Sequence, residues 1–98
     1  MTAYRIAFTR EVRRQIGDLP GHIKALAKQE IAGLSANPRP PHCKELAGHP
    51  TYFRLWLGQD FRLVWRVVED EQLVEIEYVG YKTPTLYARL GLTRPQAE

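Results

Sequence analysis

Between Tyr52 and Lys82 the chain is organised as three successive β-strands. Aromatic and β-branched residues fill 52–57, 61–68 and 73–79, and such residues fit a pleated, half-buried surface. Gly58-Gln59-Asp60 and Glu69-Asp70-Glu71-Gln72 separate them with polar turns short enough to join only antiparallel neighbours. The region predicts an antiparallel meander.

Side chains alternate across a strand, so pairing Leu57 with Phe61 sorts the first two strands into two faces. Phe53, Leu55, Leu57, Phe61, Leu63, Trp65 and Val67 share the core face. Tyr52, Arg54, Trp56, Arg62, Val64 and Arg66 share the other, where guanidiniums and aromatic rings interleave. Pairing Val68 with Leu73 then sends Val74, Ile76 and Tyr78 inward and Glu75, Glu77 and Val79 outward. On that register Arg66 faces Glu75, a cross-strand pair worth only ~0.2–1 kcal/mol, and reads as structural. Arg62 faces Val79, which leaves its charge available to an anion on a solvent-open sheet.

The preceding half supplies what covers the core face. Residues 3–8 predict a strand, and Thr9 is a natural N-cap with Glu11 in the first turn of the helix that follows. Val12, Ile16 and Leu19 form its apolar stripe, and Pro20-Gly21 ends it. A second helix, from Pro20 or His22 to Ala36, carries Ile23, Leu26, Ala27, Ile31 and Leu34 on its apolar face. Asn37-Pro38-Arg39-Pro40-Pro41 cannot continue a helix and predicts a surface loop. Leu46 is the inward anchor of the segment that leads into the meander. Beyond Gly80, Thr83 and Pro84 read as N-cap and first helical position and Gly91 as a stop, so Leu86 to Leu90 is a short helix. The fold class is α+β: an N-terminal strand and helical hairpin packed on one face of an antiparallel sheet whose last three strands form a meander, then a short C-terminal helix. The other sheet face is left for a partner.

At 98 residues the chain is one domain, 1–98, with one modest core. Its 14 Lys and Arg against 11 Asp and Glu, a net charge of +3, tilt the partners mildly toward polyanions. No apolar run approaches the ~18 residues of a membrane span, and the N-terminus leads straight into a strand, so the expected location is cytoplasmic with no membrane partner. One cysteine, Cys43, excludes an internal disulfide framework and reads as incidental rather than reactive. His22, His42 and His49 share no metal-ligand spacing, and no nucleotide-binding loop, Ser-His-Asp set or carboxylate pair is present. No metal or cofactor is expected.

Lys44-Glu45-Leu46-Ala47-Gly48, Tyr52-Phe53-Arg54-Leu55, the run from Gly58 to Val67, Val79-Gly80-Tyr81-Lys82 and Tyr87 together resemble the RelE/ParE superfamily of bacterial type II toxins, across nearly the whole chain. The resemblance implies one toxin domain, held inactive by a small antitoxin in a heteromeric complex. RelE-like members are ribosome-dependent endoribonucleases that cut messenger RNA with the ribose 2′-hydroxyl as nucleophile. ParE-like members share the fold and poison DNA gyrase instead. A degenerate homologue that only binds its antitoxin is a third alternative.

Carried over residue by residue, the RelE pattern makes Arg62 the phosphate contact, Lys82 the donor to the leaving group and Tyr87 the group that stacks on or orients substrate. Arg54 falls at a frequently basic position. Trp56 stands where the RelE branch has a lysine general base, and Tyr81-Lys82 replaces a commoner basic or histidine plus arginine pair. Cleavage by the 2′-hydroxyl needs a base, a positive charge at phosphorus and a proton donor. Arg62, with Arg54 or Lys82, supplies charge, Lys82 the acid, and Tyr87 or His49 the base. Trp56 and Tyr81 suit stacking on unpaired bases. Each has a structural alternative: the arginines can solvate a strand face, and Trp56 and Tyr87 can be packing residues.

Overall fold

Thr9 opens the first helix as its side chain requires. Its Oγ1 accepts the Val12 N–H at 3.0 Å in the computed structural model, which describes residues 3–83 and 86–91. Thr9→Ala therefore exposes an orphan amide at the start of α1 (Arg10–Gly17) and costs about 1 kcal/mol in urea unfolding. A change below a few tenths would mean that the cap is idle.

α2 (Gly21–Leu34) buries Ile23, Ala27, Ile31 and Leu34, a stripe at spacings of four, four and three. Leu26, expected on that face, is 39% exposed because its position falls to one side of the stripe. After α2 comes the proline-rich loop, pinned at Pro38 by the Trp65 Nε1–H, which donates to its carbonyl at 2.9 Å.

The sheet has five strands in the order β1-β5-β4-β3-β2: β1 (Arg5–Phe8), β2 (Lys44–Leu46), β3 (His49–Leu57), β4 (Phe61–Val68) and β5 (Leu73–Tyr81). β2 to β5 are antiparallel neighbours, and β1 joins β5 in parallel, so the sheet is mixed. Leu57 pairs with Phe61 and Val68 with Leu73, the registers that the turns predict. Phe53, Leu55, Leu57, Phe61, Leu63, Trp65 and Val67 all lie in the main core with α1 and α2.

β5 departs from the simple alternation. A bulge sets Val64 opposite Tyr78 but Trp65 opposite Ile76, so Glu77 is an extra residue and every later side chain changes face. Val79, expected outward, is in the main core, and Tyr78, expected inward, is on the opposite face. Arg62 consequently faces Gly80 rather than Val79. Burial, then the neighbouring Glu75 charge, raises the Glu77 carboxyl above its ordinary value. The Val79 N–H is satisfied from α1 by Gln15 Oε1 at 3.0 Å.

The second face is not open. Leu46, Val64, Tyr78, Leu86 and Tyr87 form a smaller core there, with Tyr52 and Leu90 packed against it. α3 (Leu86–Arg89) closes it, and Gly91, at φ +76°, ends the following turn as a residue without Cβ can. Leu46 is buried as expected but against α3, not against α1 and α2. Pro84, the expected first helical position, lies outside the described residues. Among the described residues no helix is long and apolar enough to cross a membrane.

Candidate active site

The Arg62 side chain projects from β4, the central strand, into the face that α3 covers, and is only 1% exposed. A buried guanidinium is stable only when its charge is met by hydrogen bonds and polarisable groups. Two such groups are in place. Its Nη1–H donates to the Tyr87 hydroxyl, and its guanidinium carbon stands 4.0 Å from the centre of the Trp56 indole. Trp56 is its cross-strand partner on β3, so register alone brings the ring and the cation together. A desolvated contact of this kind contributes about 2 kcal/mol.

Arg54 projects from β3 onto the same face, 8% exposed, between Val64 on one side and Lys44 of β2 on the other. Arg54, Trp56 and Arg62, with Lys44, His42 and Leu55, line a pocket of about 80 Å³. Three cations and an aromatic plane around so small a volume suit an oxyanion with a planar group beside it. Neighbouring Cys43 is half-buried, and burial pushes its thiol up, away from the thiolate that reactivity needs.

The structure therefore brings Arg62, Tyr87, Trp56 and Arg54 together. Lys82 follows within two residues of Gly80, the partner of Arg62, and its backbone N–H donates to the Asp60 carbonyl at 3.0 Å. Tyr81 is elsewhere: it pairs with Phe61, stacks on that ring at 4.3 Å and belongs to the α1 face of the sheet. The expectation that Arg62 is displayed on an open sheet is corrected by α3, whose Leu86 and Tyr87 are 0% and 2% exposed over it. His49 stands at the start of β3, edge-on to Tyr52 at 6.0 Å, seven residues or roughly 23 Å of strand from Trp56. Sequence reading passed over Lys44 and His42 as pocket residues. Lys44 was visible within the Lys-Glu-Leu-Ala-Gly motif, but only the β2–β3 register puts it beside Arg54.

Gly80 holds this arrangement through what it lacks. A Cβ there would stand 2.9 Å from the Tyr78 hydroxyl oxygen and 3.2 Å from the carbon bearing it, and that hydroxyl is fixed by donating to the Tyr81 carbonyl at 2.5 Å. Gly80→Ala is expected to destabilise by about 1–3 kcal/mol through overpacking. Tyr78→Phe in the same chain removes the closest atom and should recover part of that loss in urea unfolding. Equal destabilisation with and without the hydroxyl would refute the steric account.

No family model and no curated protein matches the chain. Solved structures do. The E. coli toxin RelE in complex with an antitoxin RelBc peptide superposes with a TM-score of 0.72 at 19% identity, over 94% of this chain and 97% of that one. The YoeB/ParE toxin from Agrobacterium tumefaciens gives 0.70 at 14% identity, over 81% and 99%. A chain of the toxin–antitoxin complex RelBE2 from Mycobacterium tuberculosis gives 0.66 at 26% identity, over 82% and 99%. The chain has the fold of these RelE and YoeB/ParE toxins.

Proposed function

We propose that this chain is a RelE/ParE-superfamily toxin of a toxin–antitoxin pair, and that it is an endoribonuclease cutting messenger RNA on the ribosome in the cytoplasm. The observation that carries the reading is the Arg62 guanidinium held between the Trp56 indole and the Tyr87 hydroxyl, in one pocket with Arg54 and Lys44. In this reading a phosphate oxygen replaces the Tyr87 hydroxyl on Arg62, and Arg54 and Lys44 hold the flanking backbone. Trp56 gives a base a face to stack on. The 2′-oxygen bonds to phosphorus, the P–O5′ bond breaks, and the guanidinium stabilises the charge that builds on the phosphoryl oxygens between. Lys82 protonates the departing 5′-oxygen, and Tyr87, released from Arg62, orients the 2′-hydroxyl. The partner that restrains the toxin is a cognate antitoxin, as solved structures of this fold include toxins with antitoxins.

Mapping message ends in a translating extract tests this. Codon-associated cuts that vanish with Arg62→Ala support it. Inhibition of gyrase supercoiling without cuts would overturn it in favour of a ParE-type binding toxin, and antitoxin binding with neither effect would leave a degenerate homologue.

A further inference from the structure

The pocket lined by Arg54 and Arg62 is also lined by a histidine with no role so far. His42 lies in the loop between α2 and β2, and its Nε2 is 2.9 Å from Glu30 Oε1 on α2. The same residue lines the pocket beside Lys44, Arg54, Trp56 and Arg62. A carboxylate oxygen only accepts hydrogen bonds, so the contact places the imidazole proton on Nε2 and leaves Nδ1, in the neutral ring, as a basic lone pair. Arginine cannot take a proton near neutrality, nor can a charged lysine. A phenol keeps its own proton near neutrality, so Tyr87, once phosphate has displaced it from Arg62, orients the 2′-hydroxyl and does not deprotonate it. Among the described residues lining the pocket, the group suited to removing a proton is His42.

A base held in orientation by a third group is the arrangement that activates hydroxyl nucleophiles in unrelated enzymes. Here the orienting group comes from α2, so two elements outside the meander complete a site whose cations come from β2, β3 and β4. We infer that His42, oriented by Glu30, is the general base for the RNA cleavage proposed above, on which this inference rests. Its Nδ1 takes the 2′-hydroxyl proton as the 2′-oxygen bonds to phosphorus. The P–O5′ electron pair leaves on the 5′-oxygen, which takes a proton from Lys82, so one proton enters the enzyme and one leaves it. Glu30 is a positioning residue and touches no substrate.

The test measures cleavage of message on programmed ribosomes between about pH 5.5 and 8.5, the range in which an imidazole changes charge. The charged groups facing His42 are Glu30 from α2, Lys44 from β2, Arg54 from β3 and Arg62 from β4. Only the neutral ring accepts a proton, so the wild-type rate rises with pH across this range and then levels. His42→Gln lowers the plateau by about 10²-fold, the lower end of general-base contributions, and removes the acid limb. Glu30→Ala lowers the rate by a smaller factor and keeps the limb, because the base remains while its orientation is lost. With side-chain exposures of 55% and 30%, both substitutions should leave the unfolding midpoint in place, which a urea titration verifies. If wild type cuts and Arg62→Ala does not, yet His42→Gln keeps both rate and acid limb, the base assignment is wrong and the nuclease stands. If wild type cuts at no pH, the nuclease and its base are both overturned.

Discussion

Trp65→Ala lowers the unfolding free energy by about 3–5 kcal/mol, the range for emptying a buried aromatic site. Trp65 is 0% exposed on the central strand, lies nearly parallel to Phe53 at 6.0 Å, and stands opposite Ile76 across β5. Its removal opens a cavity under both long helices and takes the Nε1–H away from the Pro38 carbonyl. Domains of this size are stable by only about 5–15 kcal/mol, so the variant should lie close to its unfolding transition at 37 °C. Urea unfolding reads the effect as a shifted midpoint with an unchanged slope. Trp65→Phe keeps most of the volume and loses the indole donor, and should fall between the two. A loss under 1 kcal/mol for alanine would show that the helix-side core is organised elsewhere.

Arg62→Ala tests the proposed chemistry and the fold together. If the guanidinium stabilises the phosphoryl charge, cleavage on programmed ribosomes falls by about 10²–10³-fold, as for loss of one oxyanion donor. The same change removes the cation from the Trp56 face and the donor from the Tyr87 hydroxyl, a buried oxygen whose lost partner costs about 1–3 kcal/mol. Arg62→Lys separates the two effects. Lysine keeps the charge but offers neither a planar fork nor a stacking plane, so the rate should remain low. Activity within tenfold of wild type in Arg62→Ala would remove Arg62 from the chemistry and leave it as the filling of a second core.

How far these features were legible depended on how local their causes are. The turn at Gly58-Gln59-Asp60 fixes the β3–β4 register, and from it the core face and the Trp56–Arg62 neighbours follow by alternation. The β5 bulge was not legible, because Tyr78 and Val79 are both apolar and either can be buried. Only Gly80 opposite Arg62, with no room for a side chain under the Tyr78 ring, hints at the change of face. The closed second face was missed for a related reason. Leu86 and Tyr87 are two apolar residues on one helical turn, too few to show a period, yet with Leu46, Val64 and Tyr78 they bury the guanidinium. Tyr81 and Trp56 both suit stacking by residue type and both are exposed, at 60% and 49%, but strand parity after the bulge separates them. His42 needed the loop from α2 to reach β2, a path that no pattern in the sequence encodes.

The parallel pairing of β1 with β5 joins residues 68 positions apart in the chain, with Arg5 opposite Leu73. Contacts so distant along the chain form late, since the intervening loop must be closed before they contribute. During synthesis at about 5–20 residues per second, the first strand and the two long helices wait several seconds for the strand that anchors them. Tyr87 is made later still. A nascent copy of this protein thus carries the Arg62 guanidinium before the residues that bury it, Leu86 and Tyr87, have been made.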